Sequence, residues 1–420
     1  MRPKAGGMRV RLIVLGMMGG LSLLALGLVH VHWLVAGPKD PRFVRFMRRY
    51  SHRANADEVV PPHGVAVDAR GTTLDVAEPG STFQHVIDDL ALVGGGAPVE
   101  LTLDARLQAK AEALMKGKMG AAVALDPATG RIRALVSAPR VNYLNRALNG
   151  LYPPGSTFKV FVAAAALSRG MDPVYNCPAA GYRSGPGTPP IRDVEFRQMA
   201  RRGKTWKGFG RIGMETALVH SANTYFAQLG VAMGPEAFEQ SVAAARLRDP
   251  AVVLAAADVS LESTGGGVPE GLRARELAPV GIGQGALHLS PLAVALFTAA
   301  VADDGLMLAP TLSATAKPTL RARPFTFAAT ARVKKMMRGV VKNGTARGCD
   351  IPGLDVCAKT GTAETGKGGK DHAWFTCFAP ERGARLVVTV VVEYGGVGAE
   401  AALPVAKGIL LEARELGYFE

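Results

Sequence analysis

A sharp turn that leads into a long apolar run is the strongest local constraint on how this chain folds. The Pro-Pro-Gly of residues 153–155 interrupts any regular element, and the alanine-rich run 160–167 predicts a buried helix that begins at or just before Ser156. On such a helix Ser156 and Lys159 lie on one face. The pair has the parts of an activated nucleophile, because the amine can take the hydroxyl proton and the helix N-terminus can stabilise negative charge. The simpler alternative is a helix cap followed by a solvated lysine.

The composition is that of a globular protein with a basic surface. The chain has 420 residues, 48% of them hydrophobic, and a formal net charge of +14. The basic residues are scattered, aromatic residues make up only 6%, and the sequence has no zinc-finger spacing, RNA-binding motif or basic zipper, so nucleic-acid binding is not expected. A surface that faces an anionic membrane or cell-wall polymer explains the charge equally well.

Residues 12–36 predict a transmembrane helix. They contain no Asp, Glu, Lys or Arg over a length that can cross a bilayer with some tilt. A cleavable signal peptide is the alternative, but its apolar core is usually shorter, and Leu34-Val35-Ala36 makes a poor cleavage site. Because basic residues flank the run on both sides, the positive-inside rule does not orient it. The side of the membrane on which the tail 1–11 lies must therefore be inferred from the chemistry of the main domain.

The remaining chain divides into a short membrane-proximal segment, 37–100, which is strand-rich, and a main domain, 101–420. Asp104 predicts the N-cap of a helix over 105–116. Other apolar runs predict strands at 121–125, 132–136, 355–364, 372–379 and 386–394, and a closing helix at 405–416. One five-stranded antiparallel sheet with helices on its faces satisfies this order, with the first two strands beside the last three. The predicted fold class is therefore α+β.

Two stretches between these strands are less regular. Residues 177–211 are polar, basic and rich in Gly and Pro, and we expect them to form an exposed excursion. Residues 235–306 are mostly Ala-rich runs broken by glycines, which predict short helices.

Two further motifs follow the first in the chain. Ser221 and Asn223 form a Ser-x-Asn on a predicted loop, and Lys359-Thr360-Gly361 lies on a predicted strand. Together with Ser-x-x-Lys, they supply a nucleophile, two amines, a second hydroxyl and an amide. Finding all three in this order is far less expected by chance than finding any one of them.

The chain therefore resembles the penicillin-binding proteins and serine β-lactamases, and in particular the class B penicillin-binding proteins. The resemblance covers roughly residues 100–418. It rests on the three motifs and their neighbours: 145–147, 152–159, 221–226, 281–285, 359–364 and 372–375. It implies a β-lactamase/transpeptidase-like fold with an all-helical subdomain. It also implies a membrane-anchored D,D-transpeptidase that cross-links D-Ala-D-Ala stem peptides of peptidoglycan and is acylated by β-lactams.

The resemblance also assigns catalytic roles. Ser156 is the expected nucleophile, and Lys159, with a pKa lowered by burial beside cationic groups, is its neutral base. Ser221 passes the proton to the leaving amine, and Asn223 holds the backbone amide of the substrate. Lys359 lowers the pKa of Lys159 and attracts the substrate carboxylate.

The remaining predicted contacts lie on the strand. Thr360 and Thr362 offer hydroxyls to the substrate carboxylate, and Gly361 leaves the strand edge open so that a peptide can pair along it. The backbone N–H groups of Ser156 and Thr362 would form the oxyanion hole.

The chain departs from the family pattern in its short membrane-proximal segment and in its metal-binding residues. Some relatives bind a metal near the active helix. Here Cys177 matches one ligand, but Phe209 and Ala222 stand where His and Cys are expected, so we predict no metal and no cofactor. One disulfide from Cys357, either to Cys349 or to Cys377, is the alternative to free, buried thiols, and we favour the free thiols.

The resemblance places the domain outside the cytoplasmic membrane, because its substrate lies there, and makes residues 1–11 a cytoplasmic tail. The expected partners are stem peptides, β-lactams and a membrane glycan polymerase. Three alternatives stay open at this point: a D,D-carboxypeptidase, a serine β-lactamase and a non-catalytic β-lactam sensor or scaffold of the same fold.

Overall fold

The computed structural model describes residues 66–71, 99–139, 144–256, 259–365 and 369–420, and all of them belong to one compact unit. The predicted tail 1–11, the predicted transmembrane helix 12–36 and most of the segment 37–100 lie outside the described residues. Within the described ranges, no helix is long and apolar enough to cross a membrane.

The strands, in chain order, are β1 (Ala66–Val67), β2 (Val99–Glu100), β3 (Gly120–Leu125), β4 (Ile132–Ala138), β5 (Tyr175–Pro178), β6 (Gly208–Ile212), β7 (Val252–Ala256), β8 (Val259–Glu262), β9 (Met307–Leu308), β10 (Leu320–Ala322), β11 (Cys357–Ala363), β12 (His372–Ala379) and β13 (Leu386–Val392). The helices are α1 (Ala105–Met115), α2 (Arg146–Asn149), α3 (Phe158–Ser168), α4 (Val194–Arg201), α5 (Met214–His220), α6 (Asn223–Ala244), α7 (Leu277–Gly281), α8 (Pro291–Ala302), α9 (Phe327–Lys342), α10 (Gly398–Ala401) and α11 (Leu403–Glu415). Short 3-10 turns cover Gly155–Thr157, Ala274–Glu276 and Arg347–Cys349.

The predicted five-stranded antiparallel sheet is confirmed. Its strand order is β11-β12-β13-β3-β4, so the N-terminal hairpin joins the three C-terminal strands through the β13–β3 pair. In that pair Val390 lies opposite Ala122. The order leaves β11 at one edge of the sheet, and β11 carries the Lys-Thr-Gly motif.

Helices cover both faces of the sheet. Val123 and Val387 belong to the core beneath α8 and the helices around α3, whereas Ala124 and Val388 belong to the core beneath α1 and α11. Successive strand residues point to opposite faces. Because both faces are buried, the strands are almost continuously apolar and show little alternation with polar residues.

The helix α3 is the centre of the helical part. Every residue from Phe158 to Ala166 is buried, and the helices α6, α8 and α9 surround them. The rings of Phe158 and Phe161 stack at a centroid distance of 4.9 Å. This explains the alanine-rich sequence, because small side chains let neighbouring helices approach α3 on all sides.

Local predictions were met in part. Asp104 caps α1 as expected, accepting from the backbone N–H groups of Arg106 and Leu107. The region predicted as short helices also contains the hairpin β7–β8, and the stretch predicted as an exposed excursion folds into β5, α4 and β6. The expectation of free, buried thiols is confirmed for all four cysteines.

Candidate active site

The turn that carries Ser156 is wedged between two other segments. Gly155 has a φ of 54°, and its N–H donates to the carbonyl of Gly283 at 2.8 Å. A Cβ on Gly155 would lie 2.6 Å from the carbonyl oxygen of Thr362, and one on Gly283 would lie 1.9 Å from that of Gly155. Only glycine fits these contacts and the left-handed φ values. Gly155 therefore lets the turn sit against β11, and Gly283 lets the 281–285 segment sit against the turn.

Lys159 is the second residue of α3 and is fully buried, and its side-chain nitrogen faces the Ser-x-Asn motif. Its Nζ donates to Asn223 Oδ1 at 2.6 Å, to the Ser221 carbonyl at 2.6 Å and to Ser221 Oγ at 3.3 Å. It also lies 5.7 Å from the centroid of the Phe226 ring. The motifs Ser-x-x-Lys and Ser-x-Asn are thus joined by direct hydrogen bonds.

Ser221 sits in a strained backbone position between α5 and α6. It caps α5 with a φ of 61°, in the left-handed region that a residue with a Cβ seldom adopts. This conformation presents both its carbonyl and its hydroxyl to Lys159. Such strain persists only where surrounding contacts hold it, and it is commonly found at functional sites.

Lys359 reaches the same hydroxyl from the sheet. Its Nζ donates to Ser221 Oγ at 2.8 Å and to the Thr360 carbonyl at 3.0 Å, and its side chain is fully buried. The Ser221 hydroxyl therefore lies between two lysines that come from a helix and a strand. All three predicted motifs meet at this one oxygen.

The two lysines share a site that disfavours their charge. Burial lowers the pKa of Lys159 to about 7, against the opposing effects of the Asp193 and Glu195 carboxylates. Burial and the neighbouring Lys159 hold the pKa of Lys359 well below its ordinary value. Near neutral pH, Lys159 is therefore substantially unprotonated and able to accept a proton.

The predicted strand residues line the cleft above these lysines. The cleft has a volume of about 1270 Å³, and Ser156, Ser221 and Asn223 lie in its wall together with residues 360–362. The Thr360 hydroxyl lies 2.6 Å from that of Thr345, which also lines the cleft.

Gly361 has a packing role that sequence reasoning missed. A Cβ there would lie 2.8 Å from Trp374 Cβ and 2.9 Å from Thr157 Cγ2. Glycine therefore lets β11 pass close beside the nucleophile turn. The Trp374 indole N–H donates to the Pro153 carbonyl at 3.0 Å, which fixes that turn from the sheet side.

Sequence reasoning also missed Asp193, which precedes an amphipathic run as an ordinary helix cap would. Asp193 is buried and accepts hydrogen bonds from the backbone N–H and the hydroxyl of Thr224, at 3.0 and 2.6 Å. Next to it, the Arg192 carbonyl accepts from Asn223 Nδ2 at 3.0 Å. The stretch predicted as an exposed excursion therefore orients the Ser-x-Asn motif.

Cys177 lies buried beside Thr224 and Asp193, where burial raises the pKa of its thiol. Within the part of the chain that the structure describes, no three His, Cys, Asp or Glu side chains are grouped so that they could hold a metal ion.

The segment 145–147, together with Tyr152, links the chain before the nucleophile turn to the sheet. Arg146 Nε donates to Glu393 Oε1 at 2.8 Å, and the Tyr152 hydroxyl donates to the same oxygen at 2.7 Å. This largely buried group ties the chain before the nucleophile turn to the end of β13.

The fold and the three joined motifs define a serine acyl-transfer site. The sequence model of the penicillin binding protein transpeptidase domain matches residues 120–411, a span that includes every predicted site residue. The chain belongs to this family.

Individual relatives agree with the family assignment. The chain is 31% identical over 368 residues to the peptidoglycan D,D-transpeptidase PbpA of Mycobacterium tuberculosis, covering 75% of this chain and 72% of the relative. It is 32% identical over 373 residues to MrdA of Acinetobacter baumannii, covering 74% and 53%. Among solved structures, penicillin-binding protein A from M. tuberculosis, as its penicillin G acyl-enzyme complex, superposes with a TM-score of 0.69 at 25% identity, covering 84% of this chain and 100% of that chain.

Proposed function

We propose that this protein is a peptidoglycan D,D-transpeptidase that works through an acyl-enzyme on Ser156. The observation that carries the proposal is the hydroxyl of Ser221, which is hydrogen-bonded by Lys159 and Lys359 beneath the cleft that Ser156 lines. The names of the relatives, peptidoglycan D,D-transpeptidases PbpA and MrdA, support the same activity.

In the acylation step, neutral Lys159 accepts the proton of the Ser156 hydroxyl as Oγ attacks the carbonyl carbon between the two D-Ala residues. The backbone N–H groups of Ser156 and Thr362 stabilise the resulting oxyanion. The proton moves from Lys159 through the Ser221 hydroxyl to the leaving amide nitrogen, and the terminal D-Ala departs as a free amine. Ser156 is left as an ester of the donor peptide.

In the second step, the amine of a neighbouring stem peptide attacks the ester carbonyl. The attacking amine loses a proton, Ser156 regains one, and a new amide bond replaces the ester. A β-lactam enters by the same first step, but its ring-opened amine stays attached, so the ester persists. This supports covalent inhibition by penicillins, as in the acyl-enzyme complex of the mycobacterial protein.

Substrate contacts follow from the polar groups around the cleft. The Asn223 amide is suited to the backbone of the donor peptide. Lys359 supplies positive charge below the site, and the hydroxyls of Thr360 and Thr362 are suited to the terminal carboxylate of D-Ala. The free edge of β11 can pair with an extended peptide on either side of Gly361.

The test is a donor assay on the full chain in detergent, with a peptide that ends in D-Ala-D-Ala. With an amine acceptor, the wild type should release D-Ala and form the cross-linked product, and Ser156→Ala should do neither. Release of D-Ala with no cross-linked product, at saturating acceptor, would establish a carboxypeptidase and contradict the transpeptidase assignment. Rapid loss of a fluorescent penicillin label would indicate a β-lactamase.

We further propose that residues 12–36 anchor the protein in the cytoplasmic membrane with the domain 101–420 outside. The reason is the location of peptidoglycan. Protease treatment of intact spheroplasts should remove the domain and spare a tag on residues 1–11. A protected domain would contradict this orientation.

A glycan polymerase in the same membrane is the proposed partner, because the class B penicillin-binding proteins that the chain resembles lack that activity and need such an enzyme. Cross-linking in living cells followed by affinity purification of the full chain should recover such an enzyme. Recovery of the full chain without a polymerase would contradict this part of the proposal.

A further inference from the structure

One wall of the cleft is the helix α4, which lies within the stretch that the sequence left without a function. Its N-terminal end is fixed to the Ser-x-Asn segment by the bonds of Asp193 to Thr224 and of the Arg192 carbonyl to Asn223. Further along the helix, Arg197 forms an ion pair with Glu364, the residue that follows β11. The helix is therefore fixed at its N-terminal end to the Ser-x-Asn segment and, further along, to the residue after β11.

The side of α4 that faces the cleft is basic. Arg197 and Arg201 line the cleft, as does Arg192, the residue just before the helix cap. The Arg192 guanidinium lies 4.7 Å from the centroid of the Phe196 ring, and Arg197 is paired with Glu364. The side chain of Arg201 has no hydrogen bond or ion pair within the described residues, so its charge is available to a ligand.

Acidic residues in the cleft do not cancel this charge. Glu364 is engaged by Arg197. Glu195 and Asp371 also line the cleft, and within the described residues neither forms an ion pair with Arg201. Arg201 therefore remains an open cation on the wall.

The edge strand β11 defines which part of a donor peptide reaches that wall. A peptide that adds to β11 in the antiparallel sense runs opposite to the strand, so its C-terminal carboxylate lies near Thr360 and its earlier residues lie towards Glu364. An extended chain advances about 3.3 Å per residue, so the residue before D-Ala-D-Ala lies near the end of β11. This is where α4 crosses to meet Glu364.

We propose that Arg201, supported by Arg197, binds a carboxylate on the side chain of the residue that precedes D-Ala-D-Ala. The protein thereby selects donor peptides whose third residue is a diamino acid with a free side-chain carboxylate. This inference rests on the proposed function, because it assumes that the donor peptide pairs with β11. A guanidinium is suited to the role, since it binds a carboxylate through two parallel hydrogen bonds.

The test compares three donor peptides on the full chain in detergent. They differ only at the third residue, whose side chain ends in an amine with a carboxylate, an amine with a carboxamide, or an amine alone. The wild type should show a KM about tenfold lower for the carboxylate peptide than for the carboxamide, and added salt should reduce the difference. Equal KM values for these two peptides would overturn the proposal.

Variants distinguish a specific role of Arg201 from the general effect of removing a positive charge. Arg201→Gln should reduce the preference to within about twofold, and Arg201→Lys should retain part of it. Arg202→Gln is the matched control, because Arg202 is the exposed neighbour that does not line the cleft, and it should keep the wild-type ratio. Equal effects of the two Gln variants would overturn the assignment to Arg201.

The proposed function fails separately from this inference. A wild type that takes no penicillin label and turns over none of the three peptides would contradict the transpeptidase activity, and the subsite with it. A wild type that takes the label and processes all three peptides with the same KM would contradict only the subsite.

Discussion

Replacing Lys159 by methionine should abolish acylation and also change how stability depends on pH. In the folded protein burial lowers the pKa of Lys159 from 10.5 to about 7, whereas an unfolded chain restores the ordinary value. Between these two pKa values the unfolded state binds more protons than the folded state. The free energy of unfolding of the wild type should therefore rise with pH from about 7 to about 10.5.

The size of the effect follows from the two pKa values. The lowered pKa reduces the free energy of unfolding by about 5 kcal/mol at pH 6 and by about 2 kcal/mol at pH 9. Lys159→Met removes this penalty. It also removes the hydrogen bonds to Ser221 and Asn223 and alters packing, and those losses are the same at both pH values. In addition it relieves Lys359, whose pKa the neighbouring Lys159 lowers, and this change acts in the same direction because it favours the variant more at low pH. The difference in the free energy of unfolding, Lys159→Met minus wild type, should therefore be about 3 kcal/mol larger at pH 6 than at pH 9.

The assay is urea unfolding of the full chain in detergent at both pH values, followed by tryptophan fluorescence. Lys335→Met removes an exposed lysine and is the control for loss of a positive charge. Its difference from the wild type should change much less between pH 6 and pH 9. A Lys159→Met difference that is equal at both pH values, or larger at pH 9, would refute the reasoning that Lys159 is destabilised by burial.

Three further predictions concern the site and the core. Penicillin acylation of the wild type, measured by stopped-flow fluorescence, should fall about tenfold per pH unit below pH 7, since Lys159 must be neutral; a flat profile would contradict this. Thr376→Val should reduce the free energy of unfolding by about 2 kcal/mol in urea, because the buried hydroxyls of Thr298 and Thr389, at 2.9 and 2.8 Å, each lose a hydrogen bond to Thr376, while Thr298 keeps its bond to the Val294 carbonyl. Gly283→Ala should slow acylation at least about tenfold, because its Cβ would displace the nucleophile turn; an unchanged rate would exclude that contact.

The sheet and the three motifs could be predicted from the sequence because their signals are local. The strands β12 and β13 are short apolar runs between turn residues, and the helix after Ser156 begins at a Pro-Pro-Gly. The order of the three motifs matches that of the penicillin-binding proteins. This resemblance predicted that residues far apart in the chain share one active site. Hydrogen bonds through the hydroxyl of Ser221 agree with that prediction.

The parts that were not predicted depend on contacts between distant segments. Asp193 bonds to Thr224, thirty-one residues later, and nothing in its local sequence distinguishes a buried anchor from a helix cap. The pKa of Lys159 was expected to be lowered by burial and by cationic neighbours; burial does lower it, but the charges that act on it, the carboxylates of Asp193 and Glu195, raise it. Burial of this kind depends on how α3 is enclosed, which a sequence pattern does not specify.

The central claim is that Ser156 is the residue that becomes acylated. Its most direct test is to incubate the full chain with benzylpenicillin, digest it and locate the adduct by tandem mass spectrometry. We expect an ester of opened penicillin on the peptide that contains Ser156, and no adduct on that peptide in Ser156→Ala. An adduct on Ser221 or another residue in the wild type, or undiminished labelling of Ser156→Ala, would contradict it.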